Sequence, residues 1–384
     1  MIDSLRIRGF KLFRDLALPK LARLNLFVGT NNVGKSCLLE AVRLYIANGN
    51  PVVLRELVHS RDGDWEIYNA KRESDQEEVA EGLENPIRFL FSDFHYKKDR
   101  SAVVEIGPIN GGGEMLRLSS ALYRRTRKED GSSRWDRVGQ EDAVVASDEA
   151  QEMLEIYVGG NLRLFSPDRL WSGPDRPSWL RRNIQREPNV PEAGSQSITI
   201  VGTGGIGPSE VSFLWDQVSL TPYQEKILSC LGLIGPKIEA LTLVGDSSRY
   251  GTGQRVPVAR IEGNIERFPL RSMGDGLTRL FHIALAMVNA QHGVILIDEF
   301  ENGLYWEVLE QVWPVIFKMA EELDVQVFAT THSRDCVNSF VKAWSDDPSL
   351  GTMYRLERTG STVKASPLPL PNLRDALASN VEVR

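Results

Sequence analysis

Eight residues, Gly29 to Ser36, read G-T-N-N-V-G-K-S. Their types and spacing suit one task, the holding of a polyphosphate. Gly29 and Gly34 let the backbone turn so that its N–H groups point inward at phosphate oxygens. Lys35 can reach the β- and γ-phosphates, and the Ser36 hydroxyl is a ligand for Mg²⁺. Asn31 and Asn32 inside the loop and Cys37 just after it are counted with the nucleotide-contacting residues. A second group lies far along the chain. The apolar run Val294 to Ile297 ends in Asp298 and Glu299, the first suited to holding Mg²⁺ and the second to polarising the water that attacks the γ-phosphate. About thirty residues on, the run Phe328 to Thr330 ends near His332, which would approach the same phosphate. Arg271 to Gly276 reads R-S-M-G-D-G and sets the Ser272 hydroxyl and the Gly274 and Gly276 amides at a helix N-terminus, a second anion cradle. One nucleotide in one subunit has no use for two cradles, whereas two subunits packed head to tail would use both.

The elements that must position these residues are legible in the apolar patterning. Leu24 to Val28 reads as a buried strand entering the first loop, and Cys37 to Val42 as part of the helix leaving it. Upstream, Ile2 to Leu18 reads as two short antiparallel strands. Asn110 to Gly113, between Ala102–Ile106 and Met115–Leu118, predicts a hairpin. Asp64 to Glu84 reads as a solvated helix or loop. Arg124 to Arg137 reads as a polar, mobile segment, and the basic run Arg124–Lys128, with Arg181 and Arg182, is a candidate for a nucleic-acid patch. Pro167 to Gly207 carries little periodicity. Ser209 to Trp215 reads as a short helix. Thr221, Pro222 and Gln224 predict a capping box opening another. Beyond Phe268 the pattern is α/β: a helix from Gly276 to about Gln291, a strand at Val294–Ile297, a helix from Trp306 to Leu323 and a strand at Val325–Thr330. In a parallel sheet the C-terminal ends of such strands gather on one ligand-binding edge. Gly202 to Gly207 fits G-x-G-x-x-G and follows Ile198–Val201, but Pro208 comes at once, no strand–helix–strand unit surrounds it and a better nucleotide site exists, so it is not read as a dinucleotide loop.

Composition bounds the rest. The chain has 384 residues, 42% hydrophobic and 25% charged, enough for a large domain carrying an insertion. No apolar run approaches the roughly 20 residues that span a bilayer, so no membrane role is expected. Three scattered cysteines (Cys37, Cys230, Cys336) exclude a zinc cluster of the usual spacing and fit a reducing cytoplasm. A net charge of −7 excludes a generally basic surface.

Taken in order, these motifs resemble the ATP-binding-cassette (ABC) superfamily and, more narrowly, the SMC-like and OLD-type, AAA-like P-loop ATPases. The resemblance makes Gly29–Ser36 the Walker A loop and Asp298 and Glu299 the Walker B pair. It makes Ser272–Gly276 the signature motif, Glu301–Leu304 the D-loop and His332 the switch histidine. Leu5 to Lys11 and the spelling G-x-N-N-x-G-K-S are also typical. The implied fold is α/β, an ABC-type ATPase head with a mixed sheet and a large α+β insertion between Walker A and the signature motif. Residues 1–50 and 256–384 form the ATPase and 51–255 the insertion. The implied activity is Mg²⁺-dependent hydrolysis of ATP, with catalytic Lys35, Glu299 and His332. A homodimer or higher even oligomer closes around ATP and drives a partner such as a separate nuclease or effector, in DNA handling or anti-phage defence. About fifty residues follow His332, too few for the Toprim nuclease domain of full-length OLD proteins. Two features depart from the pattern: Asp275 inside the signature, and a Q-loop glutamine not located among Gln140, Gln151 and Gln185. They leave open a nucleotide-gated scaffold or sensor with little turnover.

Overall fold

The computed structural model describes residues 1–59, 89–92, 103–109, 113–127, 133–138, 150–166, 197–245 and 254–379. The chain opens with β1 (Leu5–Phe10), β2 (Phe13–Leu18) and β3 (Leu24–Val28), then α1 (Lys35–Ile46) and α2 (Pro51–His59). Next come β4 (Val103–Gly107), β5 (Leu116–Arg127), β6 (Ser133–Arg137), β7 (Ala150–Val158), β8 (Asn161–Phe165) and β9 (Ile198–Val201). Helices α3 (Pro208–Val218) and α4 (Pro222–Leu231) precede β10 (Ile238–Gly245), β11 (Arg255–Ile261) and β12 (Arg267–Pro269). A 3₁₀ turn at Leu270–Met273 leads into α5 (Asp275–Asn289). The chain then alternates through β13 (Val294–Ile297), α6 (Trp306–Glu322), β14 (Gln326–Thr331) and α7 (Arg334–Trp344), and ends in β15 (Gly351–Thr359), β16 (Thr362–Pro367) and α8 (Leu370–Ala378).

Six strands in the order β16-β15-β3-β14-β13-β9 form the central sheet, parallel except for β16. Both faces of this sheet are covered, which is why its strands read as unbroken apolar runs instead of alternating ones. Leu24, Leu26, Val28, Ile295, Ile297, Val327 and Ala329 pack with the apolar faces of α3 to α7. The alternate residues Phe27, Val294, Leu296, Phe328 and Tyr354 pack with α1 and a second sheet. Phe27 stacks on Phe328 and Tyr354 at 6.3 and 6.1 Å between ring centroids. The second sheet is antiparallel, in the order β2-β1-β4-β5-β7-β8, with β6 beside β5. A third, β10-β11-β12, carries the chain toward α5. Helix α6 contains Pro314, which removes one helical hydrogen bond. The helix continues because Val308, Leu309, Val312, Trp313 and Ile316 are buried on one side of it, with Trp313 stacked at 3.9 Å on Phe300.

Several local expectations are borne out: the β1–β2 and β4–β5 hairpins, the buried β3, β13 and β14, and helices α1, α5 and α6. Others need correction. Arg124 to Arg137 is not a loop at either end, since β5 runs through Arg127 and pairs with β6, Arg125 standing opposite Trp135. Exposed arginines hid a strand whose buried anchor is Tyr123, hydrogen-bonded to Glu155 of β7 at 2.8 Å. Helix α3 runs to Val218, past Trp215, because Val211, Leu214, Trp215 and Val218 form one buried face. The cap of α4 is shifted: Thr221 accepts from Tyr223 N, and Gln224 Oε1 from Leu220 N, not Thr221 N. Asp64–Glu84, Arg181 and Arg182 lie outside the described residues.

Candidate functional site

Sheet register assembles the site. Val28 pairs with Thr331, and Ile297 pairs with Ala329 on one side and Val201 on the other. The residues that follow these strands, Gly29, His332, Asp298 and Gly202, therefore leave the sheet along one edge. Four segments far apart in sequence meet there because parallel strands end together.

In the first loop, Gly29 has φ 148°, Asn32 φ 62° and Gly34 φ 105°. Neighbours add to this: a Cβ at Gly29 would lie 2.6 Å from Leu356 O, which excludes one, and a Cβ at Gly34 would lie a tight 3.2 Å from the Phe13 ring. Gly34 immediately precedes α1, so the free N–H groups of the helix start open onto the loop. Asn31 and Asn32 are exposed, Ser36 is half-buried in the first turn of α1, and Cys37 is buried among apolar side chains. The Lys35 ammonium donates to Gly29 O at 2.7 Å and Thr30 O at 3.0 Å. Burial pulls its pKa down, opposed by the charges of Glu299, Glu301 and Asp298.

Beyond β13 the carboxylates are held by neighbours. The Thr330 hydroxyl donates to Asp298 Oδ1 at 2.6 Å and accepts from Glu299 N at 2.9 Å, using both its capacities. Glu299 sits in left-handed backbone at φ 51°, a strained state for a non-glycine residue. Asn302 Nδ2 donates to Glu299 Oε2 at 2.9 Å and to Thr203 O at 3.2 Å. His332 N donates to Glu301 Oε1 at 2.9 Å, and the His332 ring Nδ1 lies 3.1 Å from the same oxygen and 3.7 Å from Glu299 Oε1. Lys35, Asp298, Glu299 and His332 thus share one site. Among the described residues no group of three or more His, Cys, Asp or Glu is arranged to hold a metal ion. Mg²⁺ commonly takes one or two protein oxygens and completes its shell with phosphate and water. A hydroxyl at Ser36 and a carboxylate at Asp298 are hard donors of that kind.

Ser272 is exposed in the 3₁₀ turn and its hydroxyl donates to Pro269 O at 2.7 Å. Gly274 caps α5 at φ 116°, and Asp275 is exposed in the first turn, where the helix dipole favours a negative charge. Gly276 abuts the loop after β13, since a Cβ there would lie 2.8 Å from Gly303 O. These residues reach the carboxylates through α5. Buried Arg279 donates to Gly202 O, to Asp298 O at 2.7 Å and to Glu299 O at 2.9 Å, and burial lowers its pKa to about 10. One turn on, burial and then the Arg279 charge lower His282 to about 4, and its Nδ1 accepts from Ile206 N at 3.2 Å.

The Gly202–Gly207 segment is thereby explained, and the strand after α3 and α4 lies in a different sheet, as expected for a segment outside a strand–helix–strand unit. The segment does follow a parallel strand and open a helix, but its glycines serve packing: a Cβ at Gly205 would lie 2.3 Å from His282 Nδ1. Gln151 lies in β7 and donates to Ser166, while Gln140 and Gln185 lie outside the described residues. Sequence reasoning missed Thr330, the contact of Glu301 with His332, and Arg279. The lone cation in the apolar run Leu277 to Ala286 was the available signal for Arg279.

A parallel sheet with a glycine-rich loop before α1 and two acids after β13 is the arrangement of an AAA-type P-loop ATPase domain. Residues 24–335 match the family described as "AAA domain, putative AbiEii toxin, Type IV TA system", and the chain belongs to that family. It is 22% identical over 365 residues to a protein of Helicobacter pylori named ATP/GTP phosphatase, covering 88% of this chain and 86% of that one. A shorter match, 32% identical over 101 residues, links 24% of this chain to 44% of an uncharacterized protein of Methanocaldococcus jannaschii. The fold is similar to that of the crystal structure of an SmcHead bound to the C-winged helix domain of ScpA. That likeness has a TM-score of 0.50 at 14% identity and covers 97% of this chain and 99% of that one. No helix among the described residues is long and apolar enough to cross a membrane.

Proposed function

We propose that this chain binds ATP with Mg²⁺ on the Gly29–Ser36 loop and hydrolyses it, using the energy of nucleotide-dependent dimerisation to drive a partner protein. The observation that carries the proposal is the arrangement of Glu299: strained backbone, an amide held by Thr330, a carboxylate oriented by Asn302 and a histidine beside it. A carboxylate so oriented can accept a proton from attacking water. Bound Mg²⁺ would neutralise charge on the β- and γ-phosphate oxygens from Ser36 and Asp298. Lys35 would bind the same oxygens, and the loop amides would orient the chain of phosphates, with Gly29, Asn31, Asn32, Gly34 and Cys37 supplying backbone. The H. pylori relative's name, ATP/GTP phosphatase, supports the reaction type.

Dimerisation rests on the second cradle. Ser272 and Gly274 are exposed at the start of α5, where they would complete the site of a second copy along with Gly276. Among the described residues, exposed Arg124, Arg125 and Arg134 stand together on the β5–β6 ribbon, Arg134 paired with Asp136 at 3.0 Å, and such a cluster in an acidic chain supports nucleic acid as what the partner machinery handles. The test is a steady-state assay of phosphate release with parallel nucleotide binding. Glu299→Gln should lower kcat by roughly 10²–10⁴-fold while still binding ATP, and Lys35→Ala should weaken binding itself. A Glu299→Gln variant that turns over like wild type would remove the assignment. A wild-type chain that binds ATP without releasing phosphate would favour the scaffold reading.

A further inference from the structure

We infer that Glu301, two residues beyond the proposed base, is the positioning residue for His332. It fixes the imidazole with Nδ1 turned inward and Nε2 as the ring atom offered to the nucleotide. The inference rests on the hydrolysis proposed above, and it separates two acids that stand two residues apart.

Glu301 Oε1 meets His332 twice, accepting from its backbone N–H at 2.9 Å and standing 3.1 Å from its Nδ1. Glu299 Oε1 is 3.7 Å from the same ring atom, and its other oxygen is taken by Asn302. The ring therefore leans on Glu301. The two carboxylates also differ in exposure: the Glu301 side chain is 9% exposed and that of Glu299 32%. A buried carboxylate beside the ring is suited to orienting it, and a solvent-reached one to taking a proton from water. Glu301 Oε2 is buried with no hydrogen-bond partner among the described residues. A buried acceptor left unpaired costs stability, which is hard to account for if Glu301 only fills space. Its charge is among those that oppose the burial-driven fall in the pKa of Lys35 and of Arg279. Nδ1 stands 3.1 Å from Glu301 Oε1 and 3.7 Å from Glu299 Oε1, and a small turn of the ring would bring the shorter approach into hydrogen-bond line, so the proton of neutral His332 belongs on Nδ1, since the partner of one ring nitrogen sets the role of the other.

The experiment is long-range ¹H–¹⁵N spectroscopy of the full chain labelled in histidine, with His332→Gln to assign the signal, alongside steady-state kinetics. Wild type should show the Nδ1–H tautomer. Glu301→Gln keeps an acceptor oxygen and should retain both that tautomer and most of kcat. Glu301→Ala should shift His332 toward the Nε2–H form and lower kcat by about 10- to 100-fold, as loss of a histidine's orienting partner does elsewhere, with KM for ATP unchanged. Glu301→Met fills the volume without an acceptor and takes the place of alanine if the cavity prevents folding. The double variant Glu301→Ala/His332→Gln should be no slower than His332→Gln alone. An unaltered His332 tautomer in the alanine or methionine variant overturns the inference, as does a double variant whose losses multiply. Should wild type lack turnover, the hydrolysis reading fails while the tautomer measurement still decides the role of Glu301.

Discussion

His282 shows how far burial can move one residue. Its ring accepts from Ile206 N, sits next to Arg279 and is 9% exposed. Its pKa falls from 6.5 to about 4. The unfolded chain takes up this proton near pH 6.5 and the folded chain only near 4, so the neutral ring favours the native state. The contribution is full above about pH 6.5 and is lost as pH falls toward 4. Between pH 7 and 5 this one group should cost about 2 kcal/mol of stability. His282→Asn keeps a side-chain acceptor but does not titrate. Denaturant unfolding of both proteins at the two pH values should show the variant with a flatter dependence by that amount, whatever its absolute stability. Equal slopes would mean that His282 is not the group responsible. At the same scale, Gly29 answers to two demands, since the Leu356 carbonyl excludes a Cβ there as much as any phosphate does.

At the scale of elements, α5 and β13 are joined by a buried cation where two apolar faces would have sufficed for packing. Arg279 satisfies carbonyls at the ends of both β9 and β13, so Arg279→Met should leave several buried acceptors unpaired and cost about 3 kcal/mol or more. The comparison is Arg260→Ala, which removes a pair with Glu239 whose partners are 46% and 52% exposed. That change should stay within about 0.5 kcal/mol. Chemical denaturation of the two variants checks the contrast, and equal costs would refute the view that burial sets the difference. Element type was readable wherever apolar residues ran without a break, as in β3, β13 and β14. It was misread at β5–β6, where arginines on both faces of an exposed ribbon left no periodicity to find.

For the whole molecule, the proposed dimer makes a direct prediction. Ser272 is exposed and its hydroxyl bonds only within its own turn among the described residues, so Ser272→Arg should fold normally. Placed against a second copy's phosphate loop, the added side chain should block ATP-dependent dimers. Size-exclusion chromatography of Ser272→Arg combined with Glu299→Gln, in ATP and Mg²⁺, should give a monomer where Glu299→Gln alone gives a dimer. A dimer in both would remove the second cradle from the site.

The chemistry of the site was written locally. Each of Gly29–Ser36, Asp298–Glu299 and His332 follows an apolar run, and a strand followed by a turn can be read from neighbours in sequence. Strand register was not local. Val28 meeting Thr331, and Ile297 meeting both Ala329 and Val201, depends on hydrogen bonds between segments separated by most of the chain. The same holds for Thr330 on Asp298, Glu301 on His332, and Arg279 beneath the two acids. Spacing along the chain carries no information about partners that distant, because only closure of the sheet and burial of α5 against it bring them within reach.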